Sequence, residues 1–247
     1  MARKQIVEEI VDPTGWMLDN DLANFLLLRQ KEVLFMCMIG YTLLHGSKVF
    51  AAAPKGASVS YKLVSMILAC TGGGILVPLF INAIPVPLAN DAYPIAILVS
   101  FAIHHYFPIV WEVIKLSPLI KGCVVVLYEA VRAKVVLTFT LAAGAAISPS
   151  VFGFPLFGPI MCGTVGGCGG AFLPLNKGLD PVLAGMQPPM TSAFVGAALV
   201  HFFMNTSLSE GIIDAKEKAH LHLAVFFILV GLANGLNLGA AAKVKKE

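Results

Sequence analysis

Between Lys121 and Ile147 the chain runs almost entirely apolar, yet Tyr128 and Glu129 interrupt it, followed by Arg132 and Lys134. An ionisable group near the centre of a bilayer costs about 2.5–3.5 kcal/mol on insertion scales, so this segment needs a compensating environment. Glu129 and Arg132 stand three apart, share a helix face and can pair. Tyr128 and Arg132, four apart, share a face too. Lys134 has no acid three or four residues away on either side. Surplus positive charge at this depth points to a water-filled path, an anionic lipid headgroup, or both. Arginine suits phosphate through its fork of donors and lysine as a point charge, which fits Arg132 and Lys134 to such a headgroup. The plainer alternative is a Glu129–Arg132 pair that only fills a packing position.

A second signal is glycine. Gly72-Gly73-Gly74 precedes Pro78-Leu79, and Gly163, Gly166, Gly167, Gly169 and Gly170 precede Pro174-Leu175, so Gly-Gly-x-x-x-Pro-Leu occurs twice. Gly and Pro interruptions at matching places in two halves of a membrane chain are the best sequence pointer to a transport site. They loosen the helix and free backbone groups, which are tolerated at membrane depth only beside a wet cavity or inside protein. Close helix packing also selects glycine, and both roles can hold at once. With Glu129 and Arg132, these glycines form the expected pore wall. His104, His105 and His201 have no carboxylate cluster beside them, and the five cysteines show no CxxC pair, so neither a metal site nor a disulfide framework is expected. Glu112 with Lys115, and Asp214 with Lys218, read as interfacial helix pairs.

The elements that must hold these residues follow from composition. The chain has 247 residues, 57% hydrophobic and 13% charged, with a mean hydropathy of +0.83. Soluble domains carry about 25% charge, so a water-soluble globule is excluded. A net charge of +3 without a basic block argues against nucleic acid as a partner. A hydrocarbon core of about 30 Å takes about 20 residues of helix. That ruler predicts spans over 33–53, 61–82, 93–113, 121–147, 157–175, 189–205 and 220–240. The expected fold is an all-α membrane protein: seven transmembrane helices as a 3+3 inverted repeat plus one, with the second and fifth helices broken at their glycines. The organisation is an N-terminal polar segment 1–32, without the apolar stretch of a signal peptide, then repeats 33–116 and 117–206, then a last helix and basic tail 207–247.

Lys48, Lys55, Lys62, Lys115, Lys121, Lys177, Lys243, Lys245 and Lys246 fall on one side of these spans, which makes that side, with the C-terminus, cytosolic. The ending Lys243-Val244-Lys245-Lys246-Glu247 is similar to dilysine signals that retain proteins in the reticulum, and is equally readable as an ordinary basic tail.

Over residues 33–240 the sequence resembles the trimeric intracellular cation (TRIC) channels. The likeness rests on the two glycine-bearing spans, His105-Tyr106-Phe107-Pro108, Tyr128-Glu129-Ala130-Val131-Arg132, Gly163-x-x-x-Gly167-x-Gly169, and Pro189 followed by Gly196. The resemblance implies a homotrimer with one pore per protomer. It implies potassium conduction across the endoplasmic or sarcoplasmic reticulum as counter-ion flow during calcium release, with no cofactor beyond a bound phosphatidylinositol bisphosphate, for which Lys121, Tyr128, Arg132 and Lys134 are the candidate headgroup contacts. No Ser/His/Asp, paired-carboxylate or metal constellation stands at the membrane faces, so no enzymatic activity is expected. Tyr128 stands where the family motif has its leading Lys, Ala130 replaces Val, and Gly166 and Thr191 stand where lysines are expected in vertebrate-like members. Fewer fixed positive charges lower the barrier to a cation. The rival reading of the same residues is a secondary transporter with its substrate site at the second and fifth spans.

Overall fold

The computed structural model describes residues 12–173 and 178–236, and within them every regular element is helical. Arg3, Lys4, Pro174, Leu175, Lys177 and the basic C-terminal tail lie outside the described residues. A short helix, α1 (Asp21–Leu26), starts where the Asn20 side chain accepts the Ala23 N–H at 2.8 Å. It leads into α2 (Lys31–Ala52) and then α3 (Val59–Phe80), capped by Ser58 accepting from Tyr61 N–H. A four-residue turn of helix, α4 (Val86–Ala89), precedes α5 (Ala92–Tyr106) and α6 (Pro108–Leu116). The second half holds α7 (Pro118–Ala146), α8 (Phe157–Cys168), α9 (Pro188–Asn205) and α10 (Ala215–Gly235).

Helix α7 is the centre of the bundle, packing on α2, α8, α9 and α10. Its small and branched residues Ala133, Val136 and Leu137 meet Ala193, Ala197, Leu223, Ala224 and Phe227 from α9 and α10. On the opposite flank Ala130 and Val131 meet Cys37, Met38 and Ala96 from α2 and α5. Polar side chains tie helices where apolar surfaces give no net drive in lipid. Thr42 shares a 2.6 Å hydrogen bond with Ser100 and also donates to the Ala96 carbonyl, while His104 Nε2 bridges to the Leu43 carbonyl at 2.9 Å. Leu79, Phe80, Leu98, Leu116, Leu119, Leu199 and Leu229 point outward and exposed, the surface of a membrane protein.

Two expectations change. The second helix is not broken at its glycines: α3 runs continuously from Val59 through Gly72-Gly73-Gly74 and Pro78 to Phe80. Glycine adopts helical angles readily, and Pro78 removes only one N–H, leaving the Gly74 carbonyl without its helical donor. The fifth helix does break there, since α8 ends at Cys168 and gives way to a 3-10 turn over Gly169–Ala171. Secondly, the span expected over 93–113 is two helices bent by 90°. Pro108 opens α6 and forces Phe107 out of helical angles, to φ −128° and ψ 54°. By length and composition, α2, α3 and α10 can each cross a bilayer, with the bent α5–α6 pair a fourth if it counts as one span. Helix α7 is long enough but carries Lys121, Glu129, Arg132 and Lys134, whereas α8 has only 12 residues.

Candidate pore

The two glycine clusters meet. Gly72 of α3 lies so close to Gly169 and Gly170 that a Cβ on it would stand 2.5 Å from the Gly170 backbone. Gly73 faces the Val165 and Gly166 carbonyls, and Gly170 faces the Ala69 carbonyl. Backbone thus touches backbone across α3 and α8, an approach only residues without side chains allow. Gly163 sits elsewhere, against Thr140 and Ala197.

Cavities open on both sides of this crossing. One, of about 220 Å³, is lined by Leu34, Met38 and Tyr41 of α2, Thr71, Gly73 and Gly74 of α3, Asn90, Tyr93, and Lys134, Val135 and Thr138 of α7. The other, of about 260 Å³, is lined by Tyr41, His45, Lys48 and Ala52 of α2, Ala69, Tyr128, and Gly166, Gly167, Cys168, Gly169, Gly170 and Ala171. Tyr41 and Gly166 border both. Along α2 the lining runs from Leu34 to Ala52, which at 1.5 Å per residue is about 27 Å, close to the full hydrocarbon thickness. One helix therefore lines both cavities from end to end, with Tyr41 near the middle.

Tyr41 is held from two sides. Its hydroxyl donates to the Cys70 carbonyl at 3.1 Å, and its ring stacks on Tyr128 with centroids 5.1 Å apart and planes 11° from parallel. His45 tilts against both rings. Tyr41 and His45 were not singled out in the sequence. Their signal was there: two polar aromatic residues four apart on one face of an apolar span.

Glu129 and Arg132, expected at the pore wall, line neither cavity. Both are buried, at 4% and 1% exposure. Arg132 bonds Glu129 Oε2 through Nη1 at 2.5 Å, the Gly167 carbonyl through Nε at 3.1 Å, and Pro189 O and Ser192 Oγ through Nη2. Its guanidinium also lies 4.4 Å from the centre of the Phe227 ring. A single side chain on α7 thereby holds the end of α8, the start of α9 and the middle of α10. Charge-assisted bonds of this kind, all satisfied, rigidify a buried site. In this arrangement every nitrogen of Arg132 already has an acceptor within the bundle.

The four candidate headgroup contacts do not come together. Lys121 donates to the Gly235 carbonyl at 2.7 Å, capping the end of α10. Tyr128 stands at the second cavity and Lys134, half-buried, at the first. Among the described residues Lys134 has no hydrogen bond or ion pair. The interfacial pair Glu112–Lys115 forms at 2.7 Å, but Lys218 turns from Asp214 to Asp12, at 2.6 Å, and to Thr14 Oγ1 at 2.7 Å. Asp214 takes a left-handed conformation ahead of α10, at φ 53°, while Asp12 is brought to Lys218 by the fold. That ammonium, and next the Thr14 N–H, hold the Asp12 carboxyl below its ordinary value.

These features define an all-helical membrane protein built around two small-residue segments that cross. No model of a known protein family matches the sequence, and no curated protein matches it. Solved structures do share the fold. A trimeric intracellular cation channel from C. elegans, in the absence of Ca2+, aligns with TM-score 0.66 and 16% identity over 87% of this chain and 94% of that one. The same C. elegans channel type with bound Ca2+ aligns at 0.64 and 17%, over 87% and 97%. A structure described as the basis for activity of TRIC counter-ion channels in calcium release aligns at 0.65 and 18%, over 86% and 97%. The fold of this chain is that of the TRIC channels.

Proposed function

We propose that the protein is a potassium-permeable channel of the endoplasmic or sarcoplasmic reticulum that carries counter-ion current during calcium release. It works as a homotrimer with a separate pore in each protomer. Seven spans cross the membrane, with repeats 33–116 and 117–206 inverted and the C-terminus cytosolic. The observation that carries this reading is the glycine crossing of α3 and α8 with a cavity on either side, both lined by α2 over about 27 Å. Backbone carbonyls near the crossing, including that of Gly74, offer oxygen ligands to a dehydrating cation. The named neighbours, two of them trimeric cation channels and the third a counter-ion channel structure, support the same reading. Phosphoinositide modulates the channel from the first cavity, where a headgroup phosphate would meet Lys134.

Purified protein in a planar bilayer is expected to give unitary potassium currents proportional to voltage, and bilayers with and without phosphatidylinositol bisphosphate test the modulation. A secondary transporter is the second reading, favoured by one observation: Tyr41 stands between the cavities, as a barrier in alternating access would. Saturable, coupled uptake without current steps would replace the channel by the transporter.

A further inference from the structure

We infer that the Tyr41 ring is the gate of this pore, latched by two contacts: its hydrogen bond to the Cys70 carbonyl and its stack on Tyr128. The inference rests on the pore reading and names the regulation of that site. Tyr41 borders both cavities, and the facing Gly166 contributes only backbone. The partition is therefore one side chain thick on the α2 side. A Cβ at Gly166 would strike the Phe139 ring at 2.5 Å, so the α8 wall is fixed by packing on α7 and is not the moving part. Tyr41 packs against the apolar clusters around Met38 and Met66 and stacks face to face on Tyr128, but it is only partly buried and its remaining surface borders the two cavities, which is the space a moving ring can enter. Rotation about χ1 towards either cavity breaks the hydroxyl bond and the stack together, and joins the two spaces. Tyr128 makes this possible: a lysine at its position has no ring to stack, and would leave Tyr41 held by its hydroxyl alone.

Accessibility tests the gate without requiring current. The full-length protein, carrying Cys123→Ser to remove an exposed thiol and Thr138→Cys as a reporter in the first cavity, is placed in vesicles of known orientation. A membrane-impermeant cationic methanethiosulfonate is then applied from the side of the second cavity. Modification of Cys168 with protection of the reporter is expected in the parent. Tyr41→Ala should raise reporter modification from that side at least tenfold. Tyr41→Phe, which keeps the ring and loses the hydroxyl, should raise it about fivefold, the factor equivalent to one net hydrogen bond. Tyr128→Phe, which keeps the stack, should leave it unchanged. Equal modification of the reporter in parent, Tyr41→Ala and Tyr41→Phe overturns the gate. Bilayer currents from the same proteins separate the two readings. Currents that persist, unchanged in both Tyr41 variants, sink the gate and keep the channel, whereas opened accessibility without any current keeps the gate and sinks the channel.

Discussion

Gly72→Ala adds one methyl group where α3 meets the turn after α8, and the consequence can be worked from distances. The new Cβ would stand 2.5 Å from the Gly170 N and Cα and 2.6 Å from the Gly169 carbonyl carbon, against 3.4–4 Å for ordinary contact. Every obstructing atom is backbone, so no rotamer change relieves the clash. The two segments must part by about 1 Å. Overpacking a close contact costs about 1–3 kcal/mol, and a backbone-only clash falls at the upper end. Alanine recovers about 1 kcal/mol of helix propensity, leaving a net loss near 2 kcal/mol. Gly122→Ala on α7 is the internal control, since its Cβ meets only Leu232 Cδ2 at 3.7 Å and should stabilise by up to about 1 kcal/mol. Thermal unfolding of both variants in one detergent measures the difference. A Gly72→Ala protein as stable as wild type, alongside a stabilised Gly122→Ala, would refute a direct backbone contact.

Arg132→Met strands the buried Glu129 carboxylate and should cost about 3–5 kcal/mol, whereas Glu129→Leu with Arg132→Met should recover much of that, read by the same melts. Lys134→Gln removes a charge from the first cavity. At about 8 Å in water one charge raises a cation's energy by about 0.5 kcal/mol, so the unitary potassium conductance should roughly double. Asp12 is held below its ordinary value by Lys218, so its contribution is fully present above the unfolded carboxylate range and disappears as pH falls through the folded value. Proteolysis of the N-terminal segment should therefore rise at acid pH in wild type, and Asp12→Asn should show the raised cleavage already at neutral pH.

How far the site was legible depended on the range of the interaction. The glycine pairs and the pairing of Glu129 with Arg132 are local in the chain, and residue type with spacing was enough to find them, but the same glycine spacing called for a break in α3, which runs on through Gly72-Gly73-Gly74. That Arg132 turns towards α8, α9 and α10 while Lys134 turns to a cavity was not legible. Residues two apart on a helix lie about 200° around its axis, and which face meets bundle or pore is set by neighbours distant in sequence. The pairing of Lys218 with Asp12 was missed for the same reason, because a helical rule looks four residues away and the partner lies in the N-terminal segment. His105-Tyr106-Phe107-Pro108 did contain the 90° bend: the proline was visible, but apolarity continued beyond it and concealed the turn.

By itself the sequence determined the solvent, the apolar helices and the two small-residue segments, since hydropathy and the lack of a side chain are properties of residues wherever they are placed. Only the tertiary structure decided that those segments touch backbone to backbone, that the intramembrane arginine is a clasp inside the bundle, and that Tyr41 stands between two cavities. Each of these depends on distances between helices far apart in the chain, which packing sets and local pattern does not encode.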